Sequence, residues 1–137
     1  MSNSHYYIIH TDGASRGNPG PAAIGVTITD ENGRQVAAIS RRLPDTTNNK
    51  AEYQAVIAGL EKALELGARD VLLYTDSELV ARQISGVYRV RKASLLPLYN
   101  RVLSLIAKLD SFAVQEIPRN FNFEADTLAK RAFKRQP

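Results

Sequence analysis

The chain has 137 residues, of which 44% are hydrophobic and 23% charged, which excludes disordered and fibrous classes and predicts one domain spanning residues 1–137. Because there is no cysteine, disulfides, thiolate metal sites and a cysteine nucleophile are excluded, while the net charge of +4 suits a polyanionic partner. No apolar run approaches the roughly 18 residues of a membrane span, so we expect a cytoplasmic monomer with no membrane partner.

The first third of the chain predicts three antiparallel strands, at 6–11, 22–29 and 35–42. Glycine, asparagine and proline at 17–21 predict a turn after the first strand, and 30–33 predicts a hairpin after the second. Asp12 would then directly follow the first strand.

Beyond Asn49 the apolar residues recur at helical spacing until Gly67, which predicts a core-facing helix with Glu52 in its first turns. A strand, a helix and another strand then imply a parallel crossover. The order β-β-β-α-β-α-α-β-α predicts an α/β domain whose mixed five-stranded sheet has three antiparallel strands, then two parallel ones, and helices on both faces. The later elements are predicted at 71–75 (strand), 78–84 (helix), 95–109 (helix), 112–117 (strand) and 124–133 (helix).

Four acids are candidates for a shared site, although each has a simple structural alternative. Asp12 could belong to a turn, Glu52 could favour a helix N-terminus, Asp76 could be an N-cap and Asp126 could be an exposed helix residue. Asp12 and Asp76 each follow a predicted strand, at the edge where such sheets bind ligands, so the four could converge. Their mutual repulsion would require cations, and two Mg²⁺ or Mn²⁺ ions per site suit oxygen ligands and phosphodiester hydrolysis.

The segments around these acids resemble the four catalytic segments of the type 1 ribonuclease H family. The similar segments are 11–21 (TDGASRGNPGP), 46–52 (TTNNKAE), 74–77 (YTDS) and 119–129 (RNFNFEADTLA). They occur in family order with family-like spacing, over essentially the whole chain. The resemblance implies an endoribonuclease that cleaves the RNA strand of RNA·DNA hybrids and leaves 5′-phosphate and 3′-hydroxyl ends. It also implies that Asp12, Glu52, Asp76 and Asp126 are the catalytic metal ligands.

The resemblance also implies residues that contact the substrate. RNA differs from DNA by its 2′-OH, which side-chain amides and backbone groups can read in the shallow minor groove. Asn18, Asn48 and Asn49 are the candidate readers, with turn formation and helix capping as alternatives, and Gly13 and Gly17 would let the backbone approach nucleic acid closely. The predicted contacts are Gly13, Ser15, Asn18, Thr47, Asn48, Asn49, Ser77, Arg119 and Asn122.

The chain departs from the best-known bacterial members of the family in the segment before the last helix. Residues 117–122 form a short connection without the catalytic histidine, and Arg119 takes the corresponding place. Because arginine does not shuttle protons near neutral pH, we expect slower turnover than in relatives with the histidine. His5 and His10 are expected to be structural or exposed.

The basic protrusion of those members is also missing. Arg89, Arg91 and Lys92 remain in its place, either as a solvated face or as phosphate contacts. Glu78 stands where many relatives have glutamine. A second basic group, at the C-terminus, consists of Lys130, Arg131, Lys134 and Arg135.

Several alternative functions fit the carboxylates. A 3′–5′ exonuclease or an integrase-like strand transferase uses a similar sheet, but the Gly-Asn-Pro-Gly turn and the Asn48-Asn49 pair argue against both. A catalytically weak hybrid-binding module is a further alternative, and the presence of all four acids argues against it. The missing histidine and protrusion leave room for activity on double-stranded RNA or on a single ribonucleotide within DNA.

Overall fold

A five-stranded mixed sheet forms the centre of the molecule in a computed structural model that describes residues 5–134. Three consecutive strands pair antiparallel, whereas the last two run parallel to the first, as predicted. The sheet order is β3-β2-β1-β4-β5. The strands are β1 (Tyr6–Ser15), β2 (Gly20–Asp30), β3 (Gln35–Thr46), β4 (Asp70–Thr75) and β5 (Ser111–Glu116).

Four α-helices cover the two faces of the sheet, which confirms the predicted architecture. They are α1 (Asn48–Glu65), α2 (Glu78–Ile84), α3 (Leu96–Ile106) and α4 (Phe123–Lys134), with short 3-10 turns at Ala93–Leu95 and Arg119–Phe121. A side chain on Gly59 of α1 would meet Ile9 and Val26, while one on Gly25 would meet the α4 backbone at Ala125. Because neighbouring residues of a strand point to opposite faces, Gly25 and Val26 show that α1 and α4 lie on opposite sides.

Two helices, α1 and α2, begin with a polar N-cap residue. Thr47 caps α1 and accepts a hydrogen bond from the backbone N of Lys50 at 3.3 Å. Ser77 caps α2 and accepts one from the backbone N of Val80 at 3.2 Å. The alternative assignment of Asp76 as an N-cap is therefore wrong, and its carboxylate is available for another role.

All three antiparallel strands are longer than predicted. Pairing between β1 and β2 continues to Ser15 opposite Ala22, so Asp12 lies within β1 rather than after it. The Asp12-Gly13 pair is typical of a turn, but here the cross-strand hydrogen bonds of a long hairpin keep it extended. The predicted break at 30–33 is confirmed, since the Gly33 N donates to the Asp30 O at 3.0 Å.

The main hydrophobic core lies between α1 and the sheet. Tyr53 on α1 is fully buried, and its hydroxyl donates to the Gln83 Oε1 of α2 at 2.6 Å. This hydrogen bond joins the N-terminal half of α1 to α2. Among residues 5–134, no helix combines the length and the apolar composition that crossing a membrane requires.

Candidate active site

Three carboxylates from different elements meet at one edge of the sheet. The parallel register pairs Thr11 of β1 with Thr75 of β4, which brings the following residues, Asp12 and Asp76, side by side. Glu52 reaches them from the first turns of α1. One oxygen from each of the three acids lies within 4.8 Å of the others. The register of the sheet and the packing of α1 therefore assemble the acidic centre.

These acids differ in their exposure to water. Asp12 is 7% exposed and Glu52 is 5% exposed, and the side chain of Asp76 is 4% exposed. Asp126, in the first turn of α4, is more open, with 28% of its side chain exposed and its Oδ2 3.0 Å from the Lys130 Nζ. Asp126 lies beside Asp12 but outside the group of three, so the structure places it on the rim of the centre.

Burial makes negative charge unfavourable in this centre. Burial, followed by the charges of Asp76 and Asp126 and a hydrogen bond with Asp126, raises the pKa of Asp12 to about 8, against a smaller opposing effect of Arg119. Burial and the charges of Asp12 and Asp76 also raise the pKa of Glu52 well above its ordinary value. The backbone N–H of Gly13 opposes this shift by donating to the Glu52 Oε1 at 2.9 Å.

A divalent cation would relieve this repulsion. Carboxylate oxygens are the ligands that Mg²⁺ and Mn²⁺ prefer, and the three converging oxygens fit such an ion. Asp12, Glu52 and Asp76 could therefore hold a metal ion.

Gly13 has a different role from the predicted contact with nucleic acid. It is buried, and a side chain there would collide with the α1 backbone at Ala51 and Glu52. Its small size is needed for the close packing of α1 on β1, and its N–H binds Glu52. The close approach of nucleic acid to Gly13 stays a prediction.

Asn122 also lies behind the carboxylates rather than at the surface. It is 1% exposed, and its Nδ2 donates to the Thr11 backbone O at 2.8 Å and to the Asp76 Oδ2 at 3.4 Å. Because its amide is buried in these contacts, we assign it to positioning Asp76 and correct its prediction as a substrate contact. The neighbouring Arg119 is exposed, with its Nε 4.0 Å from the Asp76 Oδ2.

Comparisons with known proteins show the family of the chain. The sequence model of a family described as reverse transcriptase-like matches residues 10–132. The chain is 40% identical over 121 residues to ribonuclease HI of Halobacterium salinarum, covering 88% of this chain and 61% of that protein. A crystal structure of RNase H1 from Halobacterium salinarum has a TM-score of 0.93 and 37% identity, covering 96% of this chain and 99% of that one. The chain belongs to the type 1 ribonuclease H family.

Two further ribonuclease H structures are similar. The N-terminal RNase H domain of Rv2228c from Mycobacterium tuberculosis has a TM-score of 0.90 and 38% identity over 93% of this chain and 98% of that one. LC11-RNase H1, isolated from compost and solved in complex with an RNA/DNA hybrid, has a TM-score of 0.89 and 39% identity over 93% and 96% of the two chains. This chain spans 35% of the length of the curated Rv2228c protein, so it matches one domain of that relative.

The connection between β1 and β2 is hydrogen-bonded to the start of α1. The Asn18 Oδ1 accepts a hydrogen bond from the backbone N of Asn48 at 2.9 Å, and the Asn48 Oδ1 accepts one from the Ser15 N at 3.3 Å. Asn18 and Asn48 are exposed, whereas Asn49 is half-buried. Asn18 therefore satisfies the first backbone N–H of α1, while Thr47 is the N-cap of that helix. The Nδ2 groups of Asn18 and Asn48 are not used in these two hydrogen bonds.

The remaining predicted residues are dispersed around this centre. Thr47 and Ser77 are half-buried caps, and Gly17 is exposed with a φ of 124°, a conformation that favours glycine. Arg89, Arg91 and Lys92 are exposed on the irregular segment between α2 and the turn before α3. Glu78 pairs with Arg82 at 3.0 Å. Arg135 lies outside the described residues.

The two histidines lie apart from the three converging acids. His5 is exposed, while His10 of β1 is half-buried and its ring centroid lies 4.9 Å from that of Tyr74. Burial lowers the pKa of His10, against a smaller opposing effect of Glu124. A neutral, stacked His10 agrees with the structural role expected from the sequence.

One feature of the rim was missed by sequence reasoning. Phe121 is 69% exposed and Phe123 is 59% exposed, and they flank the buried Asn122. Two aromatic residues in a short polar connection were the available signal. The two phenylalanines are exposed while Asn122 is buried because a 3-10 turn at Arg119–Phe121 precedes Asn122. The sequence pattern did not predict this turn.

Proposed function

We propose that this chain is an endoribonuclease that hydrolyses the RNA strand of RNA·DNA hybrids. The observation that carries the proposal is the convergence of Asp12, Glu52 and Asp76, buried and with raised pKa values for the first two, in a ribonuclease H fold. The complex of LC11-RNase H1 with an RNA/DNA hybrid supports the same substrate class here. The products would carry 5′-phosphate and 3′-hydroxyl ends.

The cofactor in this proposal is a pair of Mg²⁺ or Mn²⁺ ions held by Asp12, Glu52, Asp76 and Asp126. When bound, two such ions activate water and stabilise the leaving oxygen in phosphodiester hydrolysis. Asp126 suits a ligand at the open side because its side chain is the most exposed of the four. All these side chains come from one chain, which supports a monomeric enzyme.

Two buried contacts orient the ligands before substrate arrives. The N–H of Gly13 fixes one oxygen of Glu52, and the amide of Asn122 ties Asp76 to the backbone of β1. Fixed carboxylates lose less conformational freedom when they bind a cation, since their rotamers are already selected. The chain's contribution to the chemistry is thus a preorganised set of oxygen ligands.

The side chain of Arg119 is 85% exposed and lies over Asp76, where it would orient a phosphate of the substrate. A guanidinium remains protonated near neutral pH, so it stabilises negative charge without accepting a proton. We therefore expect a lower kcat than in relatives with the catalytic histidine, assayed side by side on one hybrid. Equal kcat values would contradict this assignment.

The amides of Asn18, Asn48 and Asn49 are the proposed readers of the 2′-OH. The first two use their Oδ1 atoms within the protein, which fixes the side chains and leaves the Nδ2 donors for the substrate. A donor can bind the 2′-OH of RNA but finds no such acceptor in DNA. This arrangement would direct cleavage to the RNA strand.

A substrate panel tests the function. Purified protein with Mg²⁺ or Mn²⁺ would be given matched hybrid, double-stranded RNA, double-stranded DNA and a hybrid whose labelled RNA strand is a closed circle. We expect the RNA strand of the linear and circular hybrids to be cleaved. The DNA strand of the hybrids and the double-stranded DNA should stay intact. Preference for double-stranded RNA would change the substrate assignment, and failure to open the circle would indicate an exonuclease.

A further inference from the structure

Two arginines contact one aromatic ring outside the carboxylate centre. The Cζ of Arg16 lies 4.2 Å from the centroid of the Phe133 ring, and the Cζ of Arg42 lies 5.5 Å from it. Arg16 comes from the connection between β1 and β2, Arg42 from β3 and Phe133 from α4. Because three distant segments supply this arrangement, the fold itself places both guanidinium groups against the same ring.

No carboxylate of residues 5–134 forms an ion pair with either arginine. Within residues 5–134, the ion pairs of 4.0 Å or less involve other cations and leave out Arg16 and Arg42. The Nε of Arg42 is buried and has no hydrogen-bond partner in the described part of the chain. A guanidinium group without an ion-pair partner favours a nearby anion, because the anion would neutralise its charge.

The position of the pair relates it to the proposed substrate path. Arg16 lies two residues before Asn18, on the connection that hydrogen-bonds the start of α1 next to the acidic centre. The last turn of α4 also carries the exposed cations Arg131 and Lys134. Favourable interaction with the helix C-terminus explains cations in the last turn of α4, but it does not explain Arg16 and Arg42.

We propose that Arg16 and Arg42 bind a backbone phosphate of the nucleic acid, outside the catalytic centre. Guanidinium groups match phosphate oxygens with paired N–H donors, and the Phe133 ring holds both groups in place. Such a contact carries no sequence information and positions the duplex on the protein. The inference rests on the proposed function for the identity of the ligand, since a hybrid substrate supplies the phosphate.

Salt-dependent binding tests the proposal. A fluorescent hybrid and a double-stranded DNA of equal length would be titrated by anisotropy, in chelator to prevent cleavage, with the wild type and the Arg16→Gln/Arg42→Gln variant. Loss of one phosphate contact should raise Kd about tenfold near 0.1 M salt and reduce the slope of log Kd against log salt by about 1, on both duplexes. Because the pair is outside the carboxylate centre, kcat on the hybrid should not change.

Arg34→Gln is the matched control because it removes one exposed cation at the far end of the β2–β3 hairpin. It should leave the Kd and the slope close to those of the wild type. Circular dichroism checks that the double variant folds. If it does not, the single variant Arg16→Gln tests the proposal, because Arg16 is exposed. We expect this variant to raise Kd about threefold.

Several results would overturn the proposal: unchanged Kd and slope, a loss equal to that of Arg34→Gln, or a loss confined to the hybrid. Unchanged duplex binding with lost binding to polyglutamate would instead indicate an acidic polypeptide partner. The proposed function can fail separately. In that case the wild type cleaves no hybrid, while the double variant still shows weakened binding to both duplexes.

Discussion

At the scale of single residues, the acidic centre is defined by what burial does to Asp12 and Glu52. Each acid singly had an ordinary explanation in the sequence, and resemblance to a family was needed to group them. The raised pKa values were not predictable from the sequence. They depend on how deeply β1 and α1 bury these side chains and on how close the register brings Asp76.

A stability measurement tests this electrostatic account. The pKa of Asp12 is raised from 3.8 to about 8 in the folded protein, so the folded state holds a proton that the unfolded state releases above about pH 4. This contribution to stability is therefore lost as pH rises from about 4 to 8. In chelator, we expect the Tm of the wild type to fall over this range more steeply than that of Asp12→Asn.

Divalent cations should reverse the loss. Because the proposed Mg²⁺ site exists only in the folded protein, millimolar Mg²⁺ should raise the Tm. The effect should be larger near pH 8 than near pH 5 and smaller in Asp12→Asn. Asp110→Asn is the control, because that exposed acid lies at the other end of the sheet, 3.9 Å from Arg69. The account is wrong at this scale if Asp12→Asn and Asp110→Asn show the same pH slope and the same response to Mg²⁺.

At the scale of elements, most boundaries followed from local signals. Gly67, which was predicted to stop the first helix, follows the C-cap of α1 with a φ of 91°. The second helix spans 78–84, as predicted. The extension of β1 through Asp12 could not be predicted, because long-range pairing with β2 overrides the turn preference of Asp-Gly. The burial of Asn122 was also missed, since only tertiary packing shows that its side chain points inward between exposed Phe121 and Phe123.

Asn122 provides a prediction about how α4 is joined to the sheet. Asn122→Ala removes the donor to Thr11 and Asp76, so we expect a loss of about 1–3 kcal/mol in the free energy of unfolding. The kcat should also fall, with little change in KM, because Asp76 is no longer held. Denaturant unfolding and steady-state kinetics measure the two effects.

Asn120→Ala is the matched control in the same segment, because Asn120 is exposed. It should leave the stability within about 0.5 kcal/mol of the wild type. Similar losses of stability and kcat in the two variants would remove the positioning role from Asn122.

At the scale of the whole molecule, the fold class and the order of elements were predicted correctly because hydrophobic periodicity and turn residues agree along the chain. The acidic centre then follows from topology. Parallel pairing of β1 with β4 brings Asp12 and Asp76 together, and α1 and α4 approach this edge from opposite faces. The Arg16–Arg42 pair was not predictable, because three segments far apart in sequence create it.

The central claim is that these carboxylates form a metal-dependent site that cleaves RNA within a hybrid. The most direct measurement is gel analysis of a hybrid with 5′-labelled RNA, incubated with wild type or Asp12→Asn in Mg²⁺, Mn²⁺ or chelator. The account predicts internal RNA fragments with 3′-hydroxyl ends for the wild type with a metal, and none for Asp12→Asn or in chelator. An intact RNA strand with both metals, or undiminished cleavage in chelator, would contradict it.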